Sequence, residues 1–187
     1  PVAFAIIFAL SGAVGPIIGQ NAGAKNSERV RSAFTDALLF TLGVTVVVSV
    51  ALFALRTPLS WMFQLEDASI ARTLVYLFAG PLSLLWFFNG VIFVSNAAFN
   101  NLGHPFYSTL TNWGRHTLGT IPMVMIGAAL FGAPGVLVGQ ALGGVIFALI
   151  AYAMARRVIA ETEGAAPAPR EPFARQARLM NLFHNRR

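Results

Sequence analysis

Amide side chains follow one face of an apolar stretch near the middle of the chain. Four residues recur along it at helical spacing: Asn89, Phe93, Asn96 and Asn100. Intervals of four, three and four residues place them on one side of a helix, one turn after Trp86. Amides that face lipid would lack hydrogen-bond partners, so this face must meet other helices or a water-filled cavity. Two roles therefore stay open, hydrogen bonding between helices or lining a route for a solute or an ion.

An acidic residue, Asp36, lies inside another apolar run. An ionised group at the centre of a membrane span costs about 2.5 to 3.5 kcal/mol on insertion scales, and such a residue is a functional candidate by default. Asp36 lies two to three turns from the start of its helix, where Ser32 and Arg29 share its face. We favour an interfacial or paired carboxylate, with an ion-binding role as the alternative.

A shorter polar face follows further along the chain, with Asn112 and His116 one turn apart and Arg115 beside them. Asn112 joins the candidates for a substrate or ion route. No second His, Cys or carboxylate stands at ligand spacing, so the sequence predicts no metal site. It also contains no catalytic triad and no phosphate-binding glycine loop, so we predict no catalytic residues and no enzyme.

The composition predicts that these residues are carried by membrane helices. Of 187 residues, 56% are hydrophobic and 11% are charged, whereas soluble domains carry about 25% charged residues. The net charge of +6 does not indicate nucleic-acid binding, because the basic residues flank apolar runs or lie after Arg156. Cysteine is absent, which excludes disulfides and thiolate sites.

Five apolar runs are each long enough to span a bilayer, which takes about 20 residues. They cover residues 1–22, 33–55, 73–98, 106–131 and 135–155. The sequence thus predicts an all-α, polytopic transmembrane bundle over residues 1–157. We expect the first helix to kink or fray near Pro16, breaks at Gly80-Pro81 and between Gly119 and Pro122, and a helix end before Pro58.

The rest of the chain is polar. Residues 158–172 are rich in Pro and Ala and predict a linker. Residues 173–187 form a basic tail that fits an interfacial amphipathic helix and a disordered segment equally well.

Positive charge predicts the orientation of the runs. If they alternate, one side holds these basic residues and the tail: Lys25, Arg29, Arg31, Arg115, Arg156 and Arg157. The other side holds Arg56 and Arg72. We expect a multi-pass protein of a bacterial inner membrane with a cytoplasmic C-terminus.

A motif at the end of the first run carries a family resemblance. Gly19-Gln20, Gly23-Ala24 and Arg29 have the spacing G-Q-x-x-G-A-x-x-x-x-R. Later segments, F-N-N-L-G-H-P-F-Y-S-T-L from Phe99 and F-G-A-P-G from Phe131, follow in a matching order. Over most of residues 12–157 the chain resembles multidrug and toxic compound extrusion (MATE) transporters.

This resemblance implies a function. MATE proteins have about twelve helices in two lobes and export mostly cationic, amphipathic compounds in exchange for Na⁺ or H⁺, with no cofactor beyond that ion. The chain is similar to helices eight to twelve. Because Pro1 is followed at once by apolar sequence, we expect that the chain begins inside a helix of a longer protein. Its expected partners are the missing helices of that protein, the lipid bilayer and a small-molecule substrate, and we expect no nucleic acid.

The resemblance also bears on Asn89. Some members carry Asp-Gly in helix ten, where this chain has Asn89-Gly90. An amide supplies an oxygen to Na⁺ but does not accept a proton near neutral pH, which argues against proton coupling at this position. The Arg-Gly of the following turn is likewise replaced, near Asn100-Asn101.

Two other functions remain open. A flippase for lipid-linked oligosaccharides or polysaccharides has the same helix count and would favour a more cationic cavity. An intramembrane transferase would need a His or carboxylate pair at the membrane face, which the sequence does not offer.

Overall fold

The computed structural model of the protein describes residues 2–164, and the regular structure in this range is helical throughout. The helices are α1 Val2–Gly23, α2 Ser27–Met62, α3 Ile70–Ala79, α4 Pro81–Leu84, α5 Trp86–Asn101, α6 Pro105–Gly114, a π-helical segment Arg115–Thr120, and α7 Ile121–Gly164. The predicted all-α membrane bundle is confirmed. The basic tail and residues 165–172 of the linker lie outside the described residues.

Helix α7 is a hairpin of two antiparallel arms that turns at Gly132. This residue has φ 61° and ψ −139°, a combination that only glycine adopts without strain. Facing positions on the two arms are Gly119 with Gly143, Met123 with Gly139, and Gly127 with Gly135. A Cβ atom on Gly135, Gly139 or Gly143 of the second arm would collide with the carbonyl that faces it. The close packing at Gly139 and Gly143 is therefore packing between backbones.

The hairpin sets the number of membrane passes in the described residues. Three helical stretches are long and apolar enough to cross a membrane, and the bent pair Ile70–Leu84 and Trp86–Asn101 supplies a fourth. One of the three, Pro105–Glu163, doubles back at Gly132. The described residues thus provide five passes, in the order in which the apolar runs predict them.

Two of the predicted breaks lie where the sequence placed them. Helix α3 ends before Gly80 and α4 starts at Pro81, and the two halves of this span meet at 46°. In the next span the π-helical segment ends just before Pro122, which has no N–H to continue the α-helical hydrogen bonds. Within this segment Thr120 Oγ1 donates to the carbonyl of Arg115, at 2.9 Å.

Other predicted bounds are wrong. Helix α2 does not end before Pro58 but continues through it to Met62. It starts at Ser27, ahead of the apolar run 33–55, where Asn26 caps it by accepting from the Arg29 amide at 3.1 Å. Helix α1 likewise runs through Pro16 without fraying. The predicted linker is helical up to Gly164, since Val158 and Ile159 are buried in the core.

The core joins α1, α2 and the last turns of α7 to α5. It consists of Val14 and Ile18 of α1, Val30, Phe34 and Ala37 of α2, Val94, Ala98 and Phe99 of α5, and Ala155, Val158 and Ile159 of α7. Large apolar side chains such as Val47 and Leu130 expose more than half of their surface. An apolar exterior of this kind suits a lipid environment.

One end of the bundle collects two loops and the end of α7. His104 Nε2 lies 3.7 Å from Glu161 Oε2, so the loop after α5 meets the last turns of α7. The start of α2 packs on the same part of α7 through Val30 and Phe34. We call this the basic end, because it holds Lys25, Arg29, Arg31, Arg156 and Arg157.

Candidate functional site

The lower part of the asparagine face forms a polar seam between α5 and α6. Asn96 Oδ1 accepts from Thr111 Oγ1 at 3.1 Å, and Asn100 Oδ1 accepts from Ser108 Oγ at 2.9 Å. Asn96 is only 8% exposed. Both amides thus form hydrogen bonds between helices, and both also line a second cleft that is described below.

The upper part of the same face has a different partner. Arg115 Nη1 donates to Asn89 Oδ1 at 2.6 Å, and Arg115 Nη2 lies 3.0 Å from His116 Nε2. The Nε atom of Arg115 is buried and has no hydrogen-bond partner among the described residues. Asn89 thus belongs to a cationic cluster, and its oxygen is already engaged by a guanidinium.

This cluster lines a cleft between α3, α5, the π-helical segment and the second arm of α7, which we call the Arg115 cleft. It has a volume of about 240 Å³. Its polar wall consists of Asn89, Arg115, His116, Thr120 and Gln140, and its apolar wall includes Phe78, Leu82, Leu85, Trp86 and Leu137. The rings of Phe78 and Trp86 meet edge to face, with centroids 6.3 Å apart.

Arg115 lies well inside its span. It follows Pro105 by about ten residues, or ~15 Å along the helix axis at 1.5 Å per residue. The sequence prediction that counted Arg115 among the basic residues of one membrane side is therefore wrong. That prediction missed Arg115 as a functional candidate. The signal was present, since an arginine inside a 26-residue apolar run (106–131) is itself a reason to look for a site.

The remaining candidates lie elsewhere. Asn112 lines a second cleft of about 350 Å³ together with Asn96, Asn100 and residues of α1. Asp36 is exposed on α2 and accepts from Ser32 Oγ at 3.1 Å, which favours the interfacial interpretation. The structure therefore brings Asn89 and Trp86 together but separates both from Asn112 and Asp36.

The G-Q-x-x-G-A motif shapes a helix contact and a turn. A Cβ atom at Gly15 or Gly19 would lie 2.7 or 3.1 Å from the amide of Asn101, so these glycines admit that side chain between α1 and α5. Gln20 and Gly23 lie in the last turn of α1, and the Ala24 amide donates to the Gln20 carbonyl at 2.9 Å. The motif residues thus fix how α1 leads into α2.

Comparison with known proteins identifies the fold. The model of the MatE family matches residues 1–124 of the chain. The chain belongs to the MatE family. Two solved transporters share its fold. A mutant of the Vibrio cholerae MATE transporter VcmN has a TM-score of 0.75 and is 19% identical, over 86% of this chain and 36% of that one. An inward-facing multidrug resistance MATE family transporter has a TM-score of 0.76 and is 14% identical, over 89% of this chain and 38% of that one.

Two curated relatives of the MatE-family chain are similar in sequence. An uncharacterized 21 kDa protein from the iaaL 5′ region of Pseudomonas savastanoi is 38% identical over 80% of this chain and 49% of its own length. A protein of Shewanella oneidensis named as an FAD transporter is 24% identical over 82% of this chain and 33% of its own length. The chain thus spans less than half of each of these relatives.

Proposed function

We propose that the native-length protein is a secondary active exporter and that this chain supplies one helical bundle of it. The observation that carries the proposal is the Arg115 cleft, a pocket with polar and aromatic walls inside a bundle that belongs to the MatE family. Intramembrane charge and a pocket between helices are typical of a solute route. Export is driven by antiport with Na⁺ or H⁺.

The orientation follows from the basic end. Lys25, Arg29, Arg31, Arg156 and Arg157 lie there, against Arg56 and Arg72 towards the opposite end. By the positive-inside rule the basic end faces the cytoplasm, in the inner membrane of a bacterium.

The substrates are amphipathic organic compounds. The sequence resemblance implies cationic ones, and these would need carboxylates from helices other than those that line the Arg115 cleft. The Shewanella relative, named as an FAD transporter, supports aromatic substrates. The position of Asn89 disfavours Na⁺ coordination, because the Arg115 guanidinium that donates to its oxygen at 2.6 Å repels a second cation.

A flippase for lipid-linked saccharides is the second candidate. Arg115 supports it, because a cationic cavity suits the diphosphate of such a lipid.

Liposomes that contain the native-length protein test the exporter. An imposed Na⁺ or proton gradient should drive the uptake or release of a fluorescent amphipathic dye. Movement of a lipid-linked saccharide with no gradient-driven movement of dye would favour the flippase, and no movement of either would contradict both candidates.

A further inference from the structure

The polar groups of the Arg115 cleft present hydrogen-bond donors in excess of acceptors. A guanidinium has five N–H donors, and the structure assigns two of them, one to Asn89 Oδ1 and one towards His116 Nε2. The buried Nε–H has no acceptor among the described residues. Arg115 therefore keeps donors, and a full positive charge, for a further partner.

The neighbours of Arg115 reinforce this pattern. Asn89 uses its oxygen on Arg115, which leaves its NH₂ group as the free part of the amide. His116 faces Arg115 with Nε2 as the acceptor, so the ring proton is on Nδ1 and forms another donor. Gln140 adds an amide that both donates and accepts.

The charge of the cleft is uncompensated within the described part of the chain. No Asp or Glu is among the residues that line it. A cation this deep in a membrane is costly unless an anion pairs with it. Arginine binds phosphate and carboxylate groups in a bidentate manner, with charge-assisted hydrogen bonds.

The apolar side of the cleft indicates what the anion is attached to. Phe78 and Trp86 form an aromatic corner across from the polar wall, and such rings favour stacked or edge-to-face contact with another ring. The cleft of about 240 Å³ is slightly below the range of ~300 to 1,000 Å³ that is usual for whole ligands. It suits the anionic end and the first ring of a larger solute.

We propose that the Arg115 cleft binds the phosphate or carboxylate group of an aromatic solute. The anion lies against Arg115 with Asn89 and His116 as additional donors, and its ring packs on Trp86. This inference rests on the proposed exporter and names the substrate class of the same cleft. The rival occupant of the charge is a carboxylate from the remaining helices of the native-length protein.

Equilibrium binding to the native-length protein in detergent tests the site, with 1-naphthyl phosphate, neutral 1-naphthol and cationic ethidium as probes. Naphthyl phosphate should bind about tenfold or more tightly than naphthol. Arg115→Gln should abolish that preference and leave naphthol binding unchanged. Arg115→Lys should retain part of it, because the charge remains but the forked geometry is lost.

Arg157→Gln is the matched control, since it removes an arginine that is exposed at the basic end, and it should leave the preference intact. If Arg115→Gln does not fold, the comparison of the three probes on the unmodified protein and on Arg115→Lys decides. Equal binding of naphthyl phosphate and naphthol would overturn the proposal. Stronger ethidium binding by Arg115→Gln would also overturn it, since it would reveal a freed carboxylate.

The outcome is separable from that of the proposed function. Gradient-driven movement of ethidium or naphthol without a preference for naphthyl phosphate would support the exporter and refute the anion site. Selective binding of naphthyl phosphate without gradient-driven movement of any probe would support the anion site and refute the exporter.

Discussion

Replacement of Gly139 by alanine tests the hairpin that forms one wall of the Arg115 cleft. A Cβ atom at this position would collide with the carbonyl oxygen of Met123 on the facing arm. Backbone atoms cannot move aside as a flexible side chain can, so the arms must separate. Overpacking of this kind costs about 1 to 3 kcal/mol. The gain in helix propensity from glycine to alanine is about 1 kcal/mol, so the net effect is a destabilisation of up to about 2 kcal/mol.

Gly144 is the matched control, because it lies on the same arm and a Cβ atom there meets nothing within 4 Å. Gly144→Ala should therefore be neutral or slightly stabilising. The assay is thermal unfolding of the purified native-length protein in detergent, followed by circular dichroism, with all variants at equal concentration. We expect Gly139→Ala to have a lower Tm than the unmodified protein and Gly144→Ala to have an equal or higher one. Equal Tm values for the two variants would refute the close approach of the arms.

Three further predictions concern the seam, the topology and the completeness of the bundle. Asn96→Leu should lower thermal stability, because loss of its bond to Thr111 removes about 0.6 to 2 kcal/mol. Asn89→Leu should change transport per folded molecule more than it changes stability. The opposite ranking of the two variants would show that the two roles are exchanged. The chain has no cysteine, so Ala24→Cys and Ala68→Cys should be labelled by an impermeant maleimide from the cytoplasm and from outside respectively, and labelling from the reversed sides would contradict the orientation. The 187-residue chain reconstituted alone should show no gradient-driven dye movement, since one bundle cannot enclose a cavity between two; robust movement would show that it is sufficient.

Much of the bundle is predictable from local sequence. Apolar runs of bilayer length predict the five passes, and Gly80-Pro81 predicts a break because proline lacks a donor. The helix ends were less accurate because polar residues continue a helix beyond the apolar layer. At the end of α7, Val158 and Ile159 extend the helix through tertiary burial, which the polar composition around them conceals.

The candidate site was only partly predictable. Helical spacing correctly placed Asn89 and Asn96 on one polar face, but not the partner of each. Arg115 is distant from Asn89 in sequence, and their bond depends on how α5 packs against the next span. The turn at Gly132 brings Gln140 to the same cleft. The interval between the apolar runs that end at 131 and start at 135 signals the turn, but no local sequence signal fixes how α5 and the second arm of α7 pack around the cleft.

Transport by the native-length protein in liposomes, measured with and without Arg115, is the most direct measurement. Under an imposed Na⁺ or proton gradient, the unmodified protein should move 1-naphthyl phosphate. Arg115→Gln should move it at a strongly reduced rate per folded molecule, and Arg157→Gln should move it at the same rate as the unmodified protein. Equal rates for the unmodified protein and Arg115→Gln, or no gradient-driven movement of any probe by the unmodified protein, would contradict a solute route through the Arg115 cleft.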